Sequence, residues 1–339
     1  MRKFVYLGST TSYNQYFRKN SFKDDYQILY SSTPEESLKG FLWLLYKAHN
    51  SETIDRYIHL PFKEVWAKYI IDKKTKALIE KEDDICFVFS DIGYRYNRNS
   101  VLPYLKKQYP NCYTAYYFND IIEYYNKRIP GFSVSEFSAL YDFVFTYNKN
   151  DAERYSIPVP PPRIRDYSNV PDDNSLPECD LFFVGKNRGR LPLLQQIYDC
   201  CSAAGLTCEF FVTEVDPEDI SAKYPFNYNQ FISYDEVLRR VKRSKAVINL
   251  IQEGAKGITL RDYEAIGMNK LLVTDGEAIC DTELYTPAKV ILVKNLEWEL
   301  HKFHESESHS WNGTEYYSEE ALYAWYNNYI DTHRRELKS

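Results

Sequence analysis

No stretch of this sequence approaches the ~20 consecutive apolar residues that a membrane-spanning helix needs, which excludes a helical span. There is no Cys-x-x-Cys pair, and the cysteine count is odd at seven. Cys86, Cys179, Cys200, Cys208 and Cys280 lie in or beside apolar segments, the pattern of buried free thiols in a reducing compartment. Positive charge is not in excess. A formal charge of -6 excludes a general nucleic-acid binder, which favours basic domains. No histidine falls between residues 60 and 300. There is no G-x-G-x-x-G, no Walker loop and no strict D-x-D. The opening stretch MRKFVYLGSTTSYNQYF is too polar for a secretory leader, so the expected location is cytoplasmic.

What the chain does have is 44% hydrophobic and 27% charged residues, an ordinary globular balance, and an aromatic content of 17% with 32 Tyr. At 339 residues about two domains are expected. Strand-like runs alternate with helical patterns in both halves, the signature of parallel βα units. In the first half the runs are KFVYLG (3–8), YQILYSS (26–32), DICFVFSD (84–91), CYTAYYFND (112–120) and ALYDFVFTYN (139–148). Six of the 15 prolines then crowd residues 156–180, which reads as a linker. Alternation resumes with CDLFFVGK (179–186), TCEFFV (207–212), AVINLIQ (246–252), KLLVTD (270–275) and VILVKN (290–295). Ser233 followed by Glu236 marks a capping box, and 318–337 a closing helix. The expected division is an N-terminal domain 1–158, a linker 159–178, a second domain 179–317, and a helix 318–339 returning toward the first.

Ligands of open parallel sheets bind at the carboxyl ends of strands. DLFFVGKNRGR (180–190) ends a buried strand in Gly185, with Lys186, Arg188, Gly189 and Arg190 before a helix. Such a turn suits a diphosphate, or is a solvated basic turn. QEGAKGITLRDYEAIG follows the strand at 246–252. Gly254 and Gly257 flank a turn able to pass beneath a phosphate, and Thr259 with the following amides can donate to it. Arg261 and Glu264 share a helix face, and a carboxylate at 264 has the acceptors for two ribose hydroxyls. An ordinary turn with an exposed Arg–Glu pair is the alternative. RRVKRSK (239–245) carries five positive charges, a solvated helix face or a contact for anionic headgroups. Asp172-Asp173 reads as solvated linker, and His301 with His304 as surface residues rather than a metal site.

Residues 233–279 resemble the nucleotide-sugar half of bacterial glycosyltransferases of the GT-B fold, in particular those of capsule, O-antigen and lipopolysaccharide clusters. The matching segments are SKAVINLIQEG, GITLRDYEA and NKLLVTD, and YDFVFTYNKNDAERYSIP (141–158) resembles the end of their N-terminal half. The resemblance implies two Rossmann-like domains facing across a cleft. It implies Gly185, Arg190, Gly257, Thr259, Arg261 and Glu264 for donor binding. Lys186, Arg190 and Arg261 would stabilise a leaving diphosphate, a clamp able to replace a metal, so neither metal nor cofactor is expected. An inverting transferase needs a base. Asp91 is the first choice and Asp120 the second, although each fits a helix or turn cap equally well. Ser9 and Thr10 are placed to face an acceptor, and Arg95 to steer an acceptor phosphate, or to be a surface charge.

The reading is therefore a cytoplasmic glycosyltransferase, peripheral to the membrane or free. It would move a hexose from a nucleotide-diphosphate sugar to a glycan or lipid-linked acceptor in surface polysaccharide synthesis. A sugar-nucleotide epimerase of similar architecture and a non-catalytic partner subunit are the rival readings. The missing histidine between 60 and 300 counts against the epimerase.

Overall fold

Apolar runs without a polar face become the central strands of two parallel sheets, because such strands are covered on both sides. The computed structural model describes residues 1–7, 19–51, 54, 60–90, 100–128, 132–252 and 255–334. They form two compact units. The first comprises Met1–Tyr147, Asp151–Pro160 and Tyr326–Ser339; the second comprises Asn148–Asn150 and Pro161–Trp325.

In the first unit six strands lie in the order β2-β3-β1-β4-β5-β6. They are β1 (Arg2–Leu7), β2 (Ser21–Phe22), β3 (Tyr26–Tyr30), β4 (Asp84–Phe89), β5 (Tyr113–Phe118) and β6 (Phe143–Thr146). All neighbours pair parallel except the short edge strand β2. Helix α1 (Gly40–His49) follows β3, α2 (Leu102–Gln108) follows β4, α3 (Ile122–Arg128) follows β5 and α4 (Lys149–Tyr155) follows β6. Val5, Leu29, Phe87, Phe89, Tyr116 and Phe118 anchor the core on one face. Of the Tyr-rich stretch beginning at 112, Tyr116 and Tyr125 join this core, and Tyr113 is buried beside Phe143 and Arg2.

The other face of that sheet is closed from the far end of the chain. The C-terminal helix runs Glu319–His333, and its residues from Tyr326 onward belong to the first unit. Tyr326 packs on Phe4 and Phe145, with ring centroids 5.9 and 5.1 Å apart. Arg2, 5% exposed, donates to both carboxylate oxygens of Asp84 at 3.2 and 3.0 Å and to Asp331 at 2.7 Å.

The second sheet is parallel throughout, in the order β12-β11-β10-β7-β8-β9. Its strands are β7 (Cys179–Lys186), β8 (Cys208–Thr213), β9 (Asn227–Tyr228), β10 (Ser244–Asn249), β11 (Leu271–Thr274) and β12 (Val290–Leu292). Helix α5 (Leu191–Ala203) covers one face, meeting Leu181, Phe183, Ile248 and Val273. Helices α6 (Tyr234–Arg243) and α7 (Leu260–Gly267) cover the other, meeting Phe182, Val247 and Leu272. Adjacent residues of β7 thus enter opposite cores, as the two-residue strand period demands.

Four details differ from the sequence reading. β10 stops at Asn249 and β12 at Leu292, short of the expected 252 and 295. Ser233 caps α6 by accepting from Glu236 N at 3.2 Å, but the Glu236 carboxylate pairs with Arg240 at 2.8 Å, so the reciprocal arm of the box is not made. The cations of 239–245 are not a bare basic stripe, because each has a carboxylate partner. Arg239 pairs with Asp173 and Asp235, Arg240 with Glu209 and Glu236, Lys242 with Asp172, Arg243 with Glu178 and Lys245 with Asp180. Asp172 is solvated as expected, at 74% side-chain exposure, while Asp173 is partly buried against Arg239.

Candidate functional site

Strand order in the second sheet reverses direction between β10 and β7. Such a switch point opens a crevice at the carboxyl ends, because the helices that follow the two strands depart to opposite faces. The two segments singled out by sequence meet there. Arg188, at the end of β7, donates to the side chain of Gln252 in the loop after β10. Arg188 and Gly189 both adopt left-handed backbone, with φ of +40° and +79°. The residue that costs more to place there is the arginine. A side chain at Gly185 would meet the ring of Phe183 at 3.0 Å, so the strand end is kept slim.

Arg190 is the electrostatic centre. It precedes the 13-residue α5, whose dipole favours negative charge at this end, although the Leu191 amide is taken by Asn187 Oδ1 at 3.0 Å. Its Nη1 donates to the Lys186 carbonyl at 3.3 Å. Its Nε is buried without a hydrogen-bond partner among the described residues. Burial first, and then the charge of Arg188, lower its pKa, with Asp275 opposing. Two neighbouring guanidiniums held this way gain from an anion that binds both. Lys186 instead turns to Glu214, at the end of β8, and forms an ion pair with it. A cavity of about 340 Å³ opens alongside, lined by Leu193, Gln196, Thr274, Asp275 and Lys294 among others.

The segment after β10 is tied down at Lys256. Lys256 N donates to Asn148 Oδ1 and Lys149 N donates to the Lys256 carbonyl, each at 2.9 Å. Gly257 is buried with φ of +146°, a conformation that side chains other than glycine's rarely adopt. Thr259 is the N-cap of α7, and its amide donates to Asp262 at 2.6 Å. Asp262 also accepts from Asn249 Nδ2 at 2.8 Å, tying the helix start to the end of β10. Burial pushes the Asp262 carboxyl up to about 6 against those two bonds.

Glu264 differs from its expected pose. It has no exposed surface. Its Oε1 accepts from Tyr234 Oη at 2.8 Å and its Oε2 from Arg261. Burial raises its pKa, and Arg261 and Tyr234 pull the other way. The shared helix face was legible at a spacing of three residues; Tyr234 was not, since it approaches from another helix. To reach a ribose hydroxyl Glu264 would have to exchange its Arg261 bond.

In the first unit Asp120 lies just beyond the carboxyl end of β5 and accepts from Ile121 N at 2.9 Å, a local cap. Asn119 beside it reaches the Ser90 carbonyl at 2.9 Å, so the ends of β5 and β4 are linked. Burial, and then the charges of Asp120 and Asp151, raise the pKa of Tyr147, which places that phenol near both carboxylates. Asp91, Arg95, Ser9 and Thr10 lie outside the described residues.

The fold matches that of an alpha-glucosyltransferase solved with UDP-glucose and DNA containing an abasic site. The TM-score is 0.52 at 11% identity, covering 98% of this chain and 99% of that one. A UDP-forming alpha,alpha-trehalose-phosphate synthase from Burkholderia xenovorans, solved with glucose-6-phosphate, aligns over 100% of both chains at 8% identity with a TM-score of 0.48. No protein-family model matches the sequence, and no curated protein matches it. The chain has the GT-B glycosyltransferase fold, two parallel-sheet α/β units.

Proposed function

We infer that this chain is a glycosyltransferase that binds a nucleoside-diphosphate sugar at the switch point of its second sheet. The observation that carries the reading is Arg190, half-buried beside Arg188 with an unpartnered Nε at the start of a long helix. A pyrophosphate supplies the charge and acceptors this pair lacks. In transfer the bond between the anomeric carbon and the phosphate oxygen breaks, and negative charge grows on the leaving diphosphate. Arg188 and Arg190 meet that charge directly, with the Gly257 turn and the start of α7 on the other side. No metal is assigned to the step. Arg261, held by Glu264, marks the ribose side. Asp120 is the described candidate for the base that takes the acceptor proton, with Asp91 the other. In a retaining reaction the donor phosphate takes it instead. The acceptor class we favour is a glycan or lipid-linked saccharide of surface polysaccharide synthesis.

The test is calorimetry with UDP, GDP, dTDP and CMP, followed by mass spectrometry of the matching nucleotide sugar. The expected result is binding of a nucleoside diphosphate that Arg190→Ala weakens, with slow release of free sugar and nucleotide. Failure of all four to bind, or indifference to Arg190, would sink the reading. A changed sugar still attached to its nucleotide would make the protein an epimerase.

A further inference from the structure

Helix α1 has the sequence GFLWLLYKAH and no polar face. Its inner side is accounted for. Tyr46 is buried and meets Trp66 edge-on at 5.5 Å, and Trp43, Leu45 and Tyr69 pack around them. Its outer side is apolar and uncovered among the described residues: Phe41 is 73% exposed, Leu42 46% and Leu44 58%. The 3-10 helix Lys63–Tyr69, which supplies Trp66, continues the surface with Phe62 at 72% and Val65 at 48%. Phe62 holds left-handed backbone, φ +63°, a costly place for an aromatic left in solvent. Scattered exposed apolar residues are ordinary; a contiguous group on two packed helices marks an interaction surface.

The charges around this surface select the occupant. Among the described residues Lys39, Lys47, Lys63 and Lys68 belong to these two elements or their edges; the carboxylates are Glu64 on the 3-10 helix and Glu35 and Glu36 on the short helix Pro34–Ser37 that precedes α1. Lys47 Nζ lies 4.5 Å from the centre of the Trp43 ring and Lys68 Nζ 5.0 Å from that of Tyr69. Apolar side chains flanked by Trp, Tyr and Lys are what the headgroup boundary of a bilayer accepts, the apolar tips entering roughly 5–10 Å. A second protein is a poorer fit. A stable interface needs about 800 Å² and 20–30 residues on each side, and this surface is one ten-residue helix and one 3-10 segment.

We propose that α1 and Phe62–Val65 form a docking surface for an anionic lipid bilayer. This role does not depend on the glycosyltransferase reading. It also replaces the cationic stretch 239–245, whose charges are internally paired.

The experiment is co-sedimentation of the full chain with vesicles of phosphatidylcholine alone and with phosphatidylglycerol added. The variants are F41S/L44S and K47E, with R243Q as the control in the paired stretch. Light scattering in the absence of lipid accompanies it, and circular dichroism confirms that each variant is folded. Binding is expected to the anionic vesicles. F41S/L44S should raise the lipid needed for half-maximal binding by about tenfold or more, K47E should raise it less, and R243Q should leave it unchanged. No association with anionic vesicles overturns the proposal. So does association that F41S/L44S leaves intact, or a lipid-free dimer that F41S/L44S dissolves.

Discussion

Tyr234 and Glu264, thirty residues apart, are joined by a 2.8 Å hydrogen bond from phenol to carboxylate, and Arg261 takes the second oxygen. Glu264→Ala would strand a guanidinium and a hydroxyl in a buried setting. The expected loss of stability is about 3–5 kcal/mol, the cost of breaking a buried pair from one side. Glu264→Gln keeps the Tyr234 bond and should lose roughly 1–3 kcal/mol. Urea midpoints of the two variants check the order. Equal and negligible losses would remove the network from the fold.

Asp262 should leave a signature in pH. Burial raises its carboxyl from 3.8 to about 6, so the folded chain keeps this proton where the unfolded chain has released it. Stability therefore falls as pH rises through that window and levels off above it, by roughly 3 kcal/mol in total. Asp262→Asn imposes a constant offset but cannot titrate. The difference between variant and wild type in urea unfolding should thus shift in the variant's favour between pH 4 and 6. A difference that stays flat would contradict it.

Arg190→Ala should weaken nucleoside diphosphate binding about 10- to 100-fold, the loss of charged hydrogen bonds. Stability should hold or rise, because the side chain now bears burial and a like charge without an anion. Arg188→Ala should weaken binding too, while freeing Gln252. Calorimetry at two salt concentrations separates this direct contact from long-range attraction.

Gly257→Ala should disturb the same site without touching a charge. With φ at +146° any side chain strains the loop by about 1–3 kcal/mol. The loop relaxes by moving, so nucleotide affinity should drop alongside the thermal midpoint. Unchanged values for both would place Gly257 outside any constraint.

Arg240 bridges Glu236 and Glu209 at 11% side-chain exposure, 4.8 Å over the Phe211 ring. Arg240→Met should cost about 3–5 kcal/mol by leaving Glu209 buried and unpaired. Adding Glu209→Gln should recover much of it. A double-mutant cycle in urea tests that coupling, and additive losses would refute it.

Much of the fold was legible because parallel strands buried on both faces leave uninterrupted apolar runs. DICFVF and DLFFV read as strands without help from their neighbours; the proline-rich residues expected as a linker over 159–178 instead fall from Pro161 onward in the second unit, with Tyr167 and Val170 buried. The site was legible where chemistry sits beside a strand end: Arg190 and Gly257 both follow directly from that rule. What stayed hidden depends on partners from distant segments. The three-residue spacing of Arg261 and Glu264 fixes their common face, but not that Tyr234 covers it. Five cations in seven residues look like a surface stripe until the linker and the edges of β7 and β8 supply their carboxylates. Likewise the outward side of α1 could not be told from its inward side, since both are apolar.

Because Tyr326 and its successors roof the sheet that contains Arg2, strand β1 waits for a helix encoded far downstream of it. Until residues 326–331 have been made, Phe4 and Phe145 lack their lid and Arg2 lacks Asp331. Cutting the gene at the proline-rich stretch would accordingly yield a first fragment with one greasy side laid bare. A permuted gene that places residues 326–334 ahead of Met1, or a fragment supplied with that helix as a separate peptide, is the way to obtain that half whole.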